Sequence, residues 1–278
     1  MEESVYGRLH VLGSGPSMSR AGRFPLEICA GIGYTERNLC PGAGKKERKR
    51  CLMQIGILYA MKKEAEGLLR LRGAPEAEWM AGMPCFRLSR STVVCVGGVG
   101  KVNAAMAAQL LIDRFRVERI VNAGCAGALC DLPAGALVLG TECVQHDVDT
   151  TLAGDAPGFV STVERVSFPC VETLETMTLL MNMGFSLTPG SVATGDWFGR
   201  DYARAQSIRE VYGALVCDME ACAAAQVCLR NGVPFQTLKV VTDHLFAPAQ
   251  EQEYQDNFLA AMKRLDEAMD VYLDLMEE

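Results

Sequence analysis

The stretch Ile55-Gly56-Ile57-Leu58-Tyr59-Ala60-Met61-Lys62-Lys63-Glu64-Ala65-Glu66-Gly67-Leu68-Leu69 changes period in its middle. Its first five residues form an apolar run without polar alternation, the pattern of a strand covered on both faces. From 61 to 71 the spacing becomes helical, with Glu64, Leu68 and Leu71 marking successive turns. A strand of this kind that feeds directly into a helix predicts an α/β fold with helices on both faces of the sheet. Working outward, the alternation continues. Strands are predicted at 92–96, 119–123, 136–144, 191–194, 214–217 and 235–242, and helices at 102–115, 171–183, 220–231 and 253–276. Several of these strands are apolar on both faces, so the central sheet is expected to be mostly parallel or mixed and 53–278 to form a single domain. Residues 1–52 read differently, with many Gly, Ser, Pro and Arg residues, no sustained period and a basic end, Lys45-Lys46-Glu47-Arg48-Lys49-Arg50. They are expected to be a leader outside the fold.

Composition narrows the function. The chain has 278 residues, 49% hydrophobic and 22% charged, which suits a soluble domain with a sizeable core. A net charge of -7 argues against a nucleic-acid partner, because phosphate binding needs a basic face. Twelve cysteines occur singly and never as CxxC, so they read as small buried hydrophobes in a reducing cytoplasm rather than a disulfide scaffold. No apolar stretch of about 18 residues predicts a membrane span.

In sheets of this class, ligands bind at the carboxyl ends of the strands. Five such ends carry candidate groups: Met61 with Glu64, Gly97-Gly98-Val99-Gly100-Lys101, Asn122-Ala123-Gly124-Cys125, Asp218-Met219-Glu220, and Thr242-Asp243. Each taken alone has a plainer reading. Gly97 to Gly100 matches neither GxGxxG nor a phosphate loop and reads as a tight turn. Glu64 could simply favour a helix start, and Asp218, Glu220 or Asp243 could cap one. His146, Asp147 and Asp149 resemble a metal set, but alternate side chains of a strand diverge, so no metal is expected there. No GxSxG nucleophile motif occurs. What remains is three carboxylates, Glu64, Glu220 and Asp243, on separate strand ends, a set suited to glycosyl cleavage through an oxocarbenium-like transition state.

Several segments together resemble the 5'-methylthioadenosine/S-adenosylhomocysteine nucleosidases of the purine nucleoside phosphorylase superfamily: IGILYAMKKEAEGLL (55–69), GVGKVNAAMAAQLLID (98–113), IVNAGCAGAL (120–129), HDVDTT (146–151), ATGDWF (193–198), CDMEACAAAQVC (217–228) and VPFQTLKVVTD (233–243). The resemblance implies that Glu64 polarises the attacking water, Glu220 binds the ribose hydroxyls and Asp243 protonates adenine N7. It further implies Phe198 against the base, Gly199 at its edge, Met219 at the ribose, Met61 and Val99 near the 5'-thioether, and Cys125, Lys239 and Thr242 among the substrate-binding residues, with Tyr254 closing the alkylthio end. No cofactor is implied, and the family is usually dimeric. Cys125 stands where serine is usual, Lys239 where arginine is, and Gly199 where a larger aliphatic is, while Trp197 is atypical and 152–154 lack the usual aromatics. Phosphorolysis, hydrolysis of another adenosine-like nucleoside such as a futalosine, and a non-catalytic nucleoside-binding module are the alternatives. Against phosphorolysis, the end of the first strand offers a carboxylate that would repel phosphate.

Overall fold

The computed structural model describes residues 53–171 and 173–277, so the reading of 1–52 as a leader lies outside the described residues. The opening stretch folds as expected, into β1 (Ile55–Tyr59) and α1 (Lys62–Leu71). There follow β2 (Glu78–Met80), β3 (Met83–Arg87), β4 (Thr92–Val96), α2 (Lys101–Phe115), β5 (Arg119–Ala128) and β6 (Leu137–Gln145). The second half holds β7 (Ser167–Pro169), α3 (Thr173–Asn182), β8 (Leu187–Thr194), α4 (Tyr202–Tyr212), β9 (Val216–Asp218), α5 (Ala221–Asn231), β10 (Phe235–His244) and α6 (Gln250–Glu277).

The sheet is mixed. β1 lies parallel between β4 and β5, with Leu58 opposite Cys95 and Ile57 opposite Val121. β10 runs parallel to β5 on one side and antiparallel to β6 on the other. β6 pairs with β8, β8 with β9, and β9 returns antiparallel to β5. The five strands β5, β10, β6, β8 and β9 therefore close into a ring, and β1, β4, β3 and β2 extend from it as an open wing. Closure removes the free edges of those five strands and brings the ends of β5, β9 and β10 together.

Two helix layers cover this sheet, as the apolar strands require. On one side α2 presents Ala104, Ala107, Ala108 and Leu111, spaced by three and four residues, against the small residues Ala221, Ala224, Ala225 and Cys228 of α5. On the other, α1 buries Ala65 and Leu68 against Leu265, Met269 and Tyr272 of α6. The β2–β3 hairpin, β7 and α4 were not expected from the sequence pattern.

Candidate active site

One cavity of about 390 Å³ opens where the ends of β1, β5, β9 and β10 meet. All three candidate carboxylates line it, together with Met61, Val99, Cys125, Phe198, Gly199, Met219 and Thr242. Lys239 does not, although it was expected among the substrate-binding residues. It is 1% exposed and lies behind the cavity wall, where its Nζ pairs with Asp218 Oδ2 at 2.7 Å.

Glu64 sits in the first turn of α1, and its side chain folds back over the end of β1. Its Oε2 accepts from the amide of Met61 at 2.8 Å, and its Oε1 accepts from the amide of Cys125 at 3.0 Å and from the Cys125 thiol at 3.1 Å. The close approach depends on Gly124, where a Cβ would lie 2.8 Å from Glu64 Oε1. Burial, with the Glu64 charge second, pushes the Cys125 thiol well up, so it is a neutral donor here.

Glu220 stands at the N-terminus of α5, buried, and its Oε1 accepts from the Gly100 amide at 2.8 Å. Gly100 has φ of 98°, a conformation that favours glycine, and it aims that amide across at the β9 end. Burial first, and then the charge of Asp218, pushes the Glu220 carboxyl up to about 7, against the opposing pull of Lys239 and the Gly100 amide. Asp218 serves the fold: its Oδ2 accepts from the Ala221 amide at 2.9 Å at the start of α5, and its Oδ1 from the Thr194 hydroxyl at 2.5 Å.

Asp243 owes its position to an irregularity in β10. The register with β5 runs from Val241 opposite Ala126 to Asp243 opposite Gly127, so Thr242 is an extra residue. In a regular strand neighbouring side chains point to opposite faces; the bulge lets Thr242 and Asp243 both border the cavity. The Thr242 hydroxyl donates to Asp243 Oδ1 at 2.6 Å and the Gln250 amide to Oδ2 at 2.8 Å. Burial raises the Asp243 carboxyl above its ordinary range in spite of these two donors. Gln250 and Leu245, which also line the cavity, were missed from the sequence; Gln250 opens α6, three residues before the predicted helix start. The signal available was Pro248 shortly before it, a common helix opener.

The aromatic wall is formed by Trp197, Phe198 and Tyr254. Phe198 is 56% exposed and meets Tyr254 edge-on at 5.9 Å between ring centres, while the Arg204 guanidinium covers Trp197 at 4.7 Å. His146, Asp147 and Asp149 diverge to three separate partners. His146 Nε2 lies 3.6 Å from Cys217 Sγ, Asp147 pairs with Lys101 Nζ at 2.6 Å, and Asp149 accepts from Thr151.

Comparison with known proteins identifies the family. The family model of the phosphorylase superfamily matches residues 54–274. A 5'-methylthioadenosine/S-adenosylhomocysteine nucleosidase of Geobacillus thermodenitrificans is 36% identical over 200 residues, which cover 69% of this chain and 84% of the relative. Among solved structures, the S-adenosylhomocysteine nucleosidase of Streptococcus pyogenes in complex with 5-methylthiotubericidin superposes with a TM-score of 0.74 at 27% identity, covering 81% of this chain and 97% of that one. The futalosine hydrolase of Helicobacter pylori superposes with a TM-score of 0.76 at 23% identity, covering 81% and 98%, a likeness of fold. This chain belongs to the phosphorylase superfamily and, within it, to the 5'-methylthioadenosine/S-adenosylhomocysteine nucleosidases.

Proposed function

We propose that this protein hydrolyses the N-glycosidic bond of 5'-methylthioadenosine, S-adenosylhomocysteine or both, releasing adenine and a 5-thio-substituted ribose. The observation that carries hydrolysis over phosphorolysis is the position of Glu64. The backbone amides of Met61 and Cys125 converge at the end of β1 and would suit an anion, but both already donate to the Glu64 carboxylate. A second anion there would be repelled, whereas a neutral water beside an ionised carboxylate is oriented and polarised.

The remaining groups fit the other two needs of the reaction. Adenine leaves poorly as an anion, and Asp243, whose carboxyl burial raises, would be the acid that delivers a proton to N7 as the bond stretches. Glu220 would accept from the ribose hydroxyls and stabilise the positive charge that develops on the sugar. Phe198 offers a face to the base, while Met61, Val99 and Met219 offer soft apolar surface to a thioether. The products would then enter methionine salvage.

A homodimer is supported by apolar residues left bare on one flank: Val102 is 79% exposed on α2, and Met106, one turn further, is also exposed. Light scattering on the purified protein tests this, a monomer at micromolar concentration being the contrary result. A cytoplasmic location fits the nine free cysteines among the described residues.

The decisive assay follows adenine release from 5'-methylthioadenosine, S-adenosylhomocysteine and futalosine, each with and without inorganic phosphate. Turnover of the two thio-nucleosides without phosphate is expected. Strict dependence on phosphate, or turnover of futalosine alone, would overturn the reading.

A further inference from the structure

On the ribose side of the cavity, with Asp218 in its lining and Lys239 behind it, lies a charged pair that the proposed reaction does not use. Asp218 and Lys239 are 5% and 1% exposed, and they reach each other from β9 and β10, two strands that do not pair. Asp218 is also tied by the Thr194 hydroxyl and the Ala221 amide, and Thr194 Oγ1 in turn accepts from the Cys222 amide at 2.9 Å. The pair and the threonine thus hold the first turn of α5. Glu220 begins that turn, two residues beyond Asp218, and is itself only 7% exposed.

Two buried carboxylates so close repel each other, and the Asp218 charge favours the neutral form of Glu220. The groups facing Glu220 are Asp218 from β9, Lys239 from β10, Glu64 from α1 and the Gly100 amide ahead of α2. Lys239 is the one cationic side chain in that set. Burial works to lower its pKa, but Asp218 and then Glu220, with Glu64 further off, outweigh burial and keep it raised and charged. A truncation of Lys239 would leave three carboxylates and no countercharge.

We propose that Lys239 is a positioning residue: without touching substrate, it supplies the countercharge that lets Asp218 anchor α5 while Glu220, two residues on, offers its carboxylate to the ribose. This rests on the reading of Glu220 as the ribose ligand. Lysine suits the task because its ammonium is a compact point charge on a long stem, and the cavity wall needs charge there rather than a fork.

The test is the pH dependence of ligand affinity in variants of opposite sign. The probe is a 5'-methylthio ribonucleoside with carbon in place of N7, which cannot take up the leaving-group proton, titrated calorimetrically from about pH 5 to about pH 9. Affinity should rise with pH as Glu220 ionises. Lys239→Gln, which keeps a hydrogen-bond donor for Asp218, should move that rise upward by about one pH unit, with severalfold weaker binding near neutrality and recovery at high pH. Asp218→Asn removes a like charge and should move it downward; Lys239→Arg should restore the wild-type curve. If Asp218→Asn does not fold, the Gln and Arg variants at 239 decide. A curve that Lys239→Gln leaves unmoved, or weaker binding by the same factor at every pH, overturns the proposal. Adenine release measured on the same proteins keeps the two readings apart, since a wild type that binds with the expected pH dependence but does not turn over sinks hydrolysis alone.

Discussion

The substitution Asp243→Asn should separate catalysis from stability by moving them in opposite directions. Asp243 is 2% exposed, and each of its oxygens has one donor, the Thr242 hydroxyl at 2.6 Å and the Gln250 amide at 2.8 Å. Asparagine fits the same volume. Its carbonyl oxygen can accept from Gln250 while its NH2 donates to the Thr242 hydroxyl, so no buried polar atom is orphaned. What is lost is the acidic proton. General acid catalysis contributes about 100-fold to 10,000-fold, and for a base that leaves as poorly as adenine the upper half applies, so kcat should fall about 1,000-fold, equivalent to about 4 kcal/mol. Stability should not fall. A carboxyl whose folded pKa is raised by burial penalises the fold as pH climbs above about 3.9, its unfolded value, and the penalty is complete above the folded pKa. Asparagine removes that penalty, so Tm by calorimetry should be unchanged at pH 4 and equal or higher at pH 8. A 4-nitrophenyl riboside, whose aryl group departs without a proton, should be cleaved by the variant at close to the wild-type rate. Adenine release within tenfold of wild type, or equal losses on both substrates, would refute the assignment of the acid.

Glu64→Gln keeps the bonds to the Met61 or Cys125 amide on one oxygen only and cannot polarise water as a carboxylate does; adenine release should drop about 100-fold or more, and retained activity in a steady-state assay would contradict its role. Gln250→Leu removes a donor that opposes protonation of Asp243, so the basic limb of the kcat profile should move to higher pH; an unmoved limb would show that this contact does not tune the acid. At Gly67 a Cβ would fall 1.7 Å from Asp266 Oδ2, whose partner oxygen accepts from the Leu68 amide, so Gly67→Ala should cost about 1–3 kcal/mol in urea unfolding, and a neutral result would mean that the α1–α6 contact is loose. Asp266 itself is pushed up to about 7 by burial, so it weakens the fold as pH rises from about 4 through 7, and Asp266→Asn should be the more stable protein at pH 8 but not at pH 4 when melted by calorimetry.

Strands β1 and β4 and the helices α1 and α2 that follow them were legible because their signals are local. Ile55 to Tyr59 is apolar without alternation and the residues after it repeat every three or four, and nothing distant overrides either pattern. The β2–β3 hairpin was not legible: its turn, Ala81-Gly82, has φ of 49° and 77°, and alanine is a poor advertisement for a left-handed conformation. α4 escaped because only Ala205 and Ile208 of its eleven residues are buried, too narrow a stripe to read as a period. Ring closure depends on β10 pairing with both β5 and β6, contacts separated by about a hundred residues that no local pattern encodes. The three carboxylates were legible as strand-end residues, but the bulge that turns Asp243 towards them, and the burial of Lys239 away from them, are properties of register and packing.

The chemistry of the cavity follows from how its charges are spent. Three carboxylates around about 390 Å³ would be an unstable crowd if all were free and ionised. Each is handled differently. Glu64 is held by two amides and a thiol, which fix both of its oxygens at the end of β1. Asp243 has two donors, and burial raises its carboxyl in spite of them. Glu220, pushed up to about 7 by burial and the Asp218 charge, has one backbone donor and Lys239 behind it, both pulling towards the anion. Under the proposed function, a substrate that arrives neutral and becomes cationic at its anomeric carbon only in the transition state would be attracted there by Glu64 and Glu220, while the departing base would meet Asp243. A phosphate would meet the same field with the wrong sign, so the amides filled by Glu64 and the charge of the cavity argue for water by independent routes.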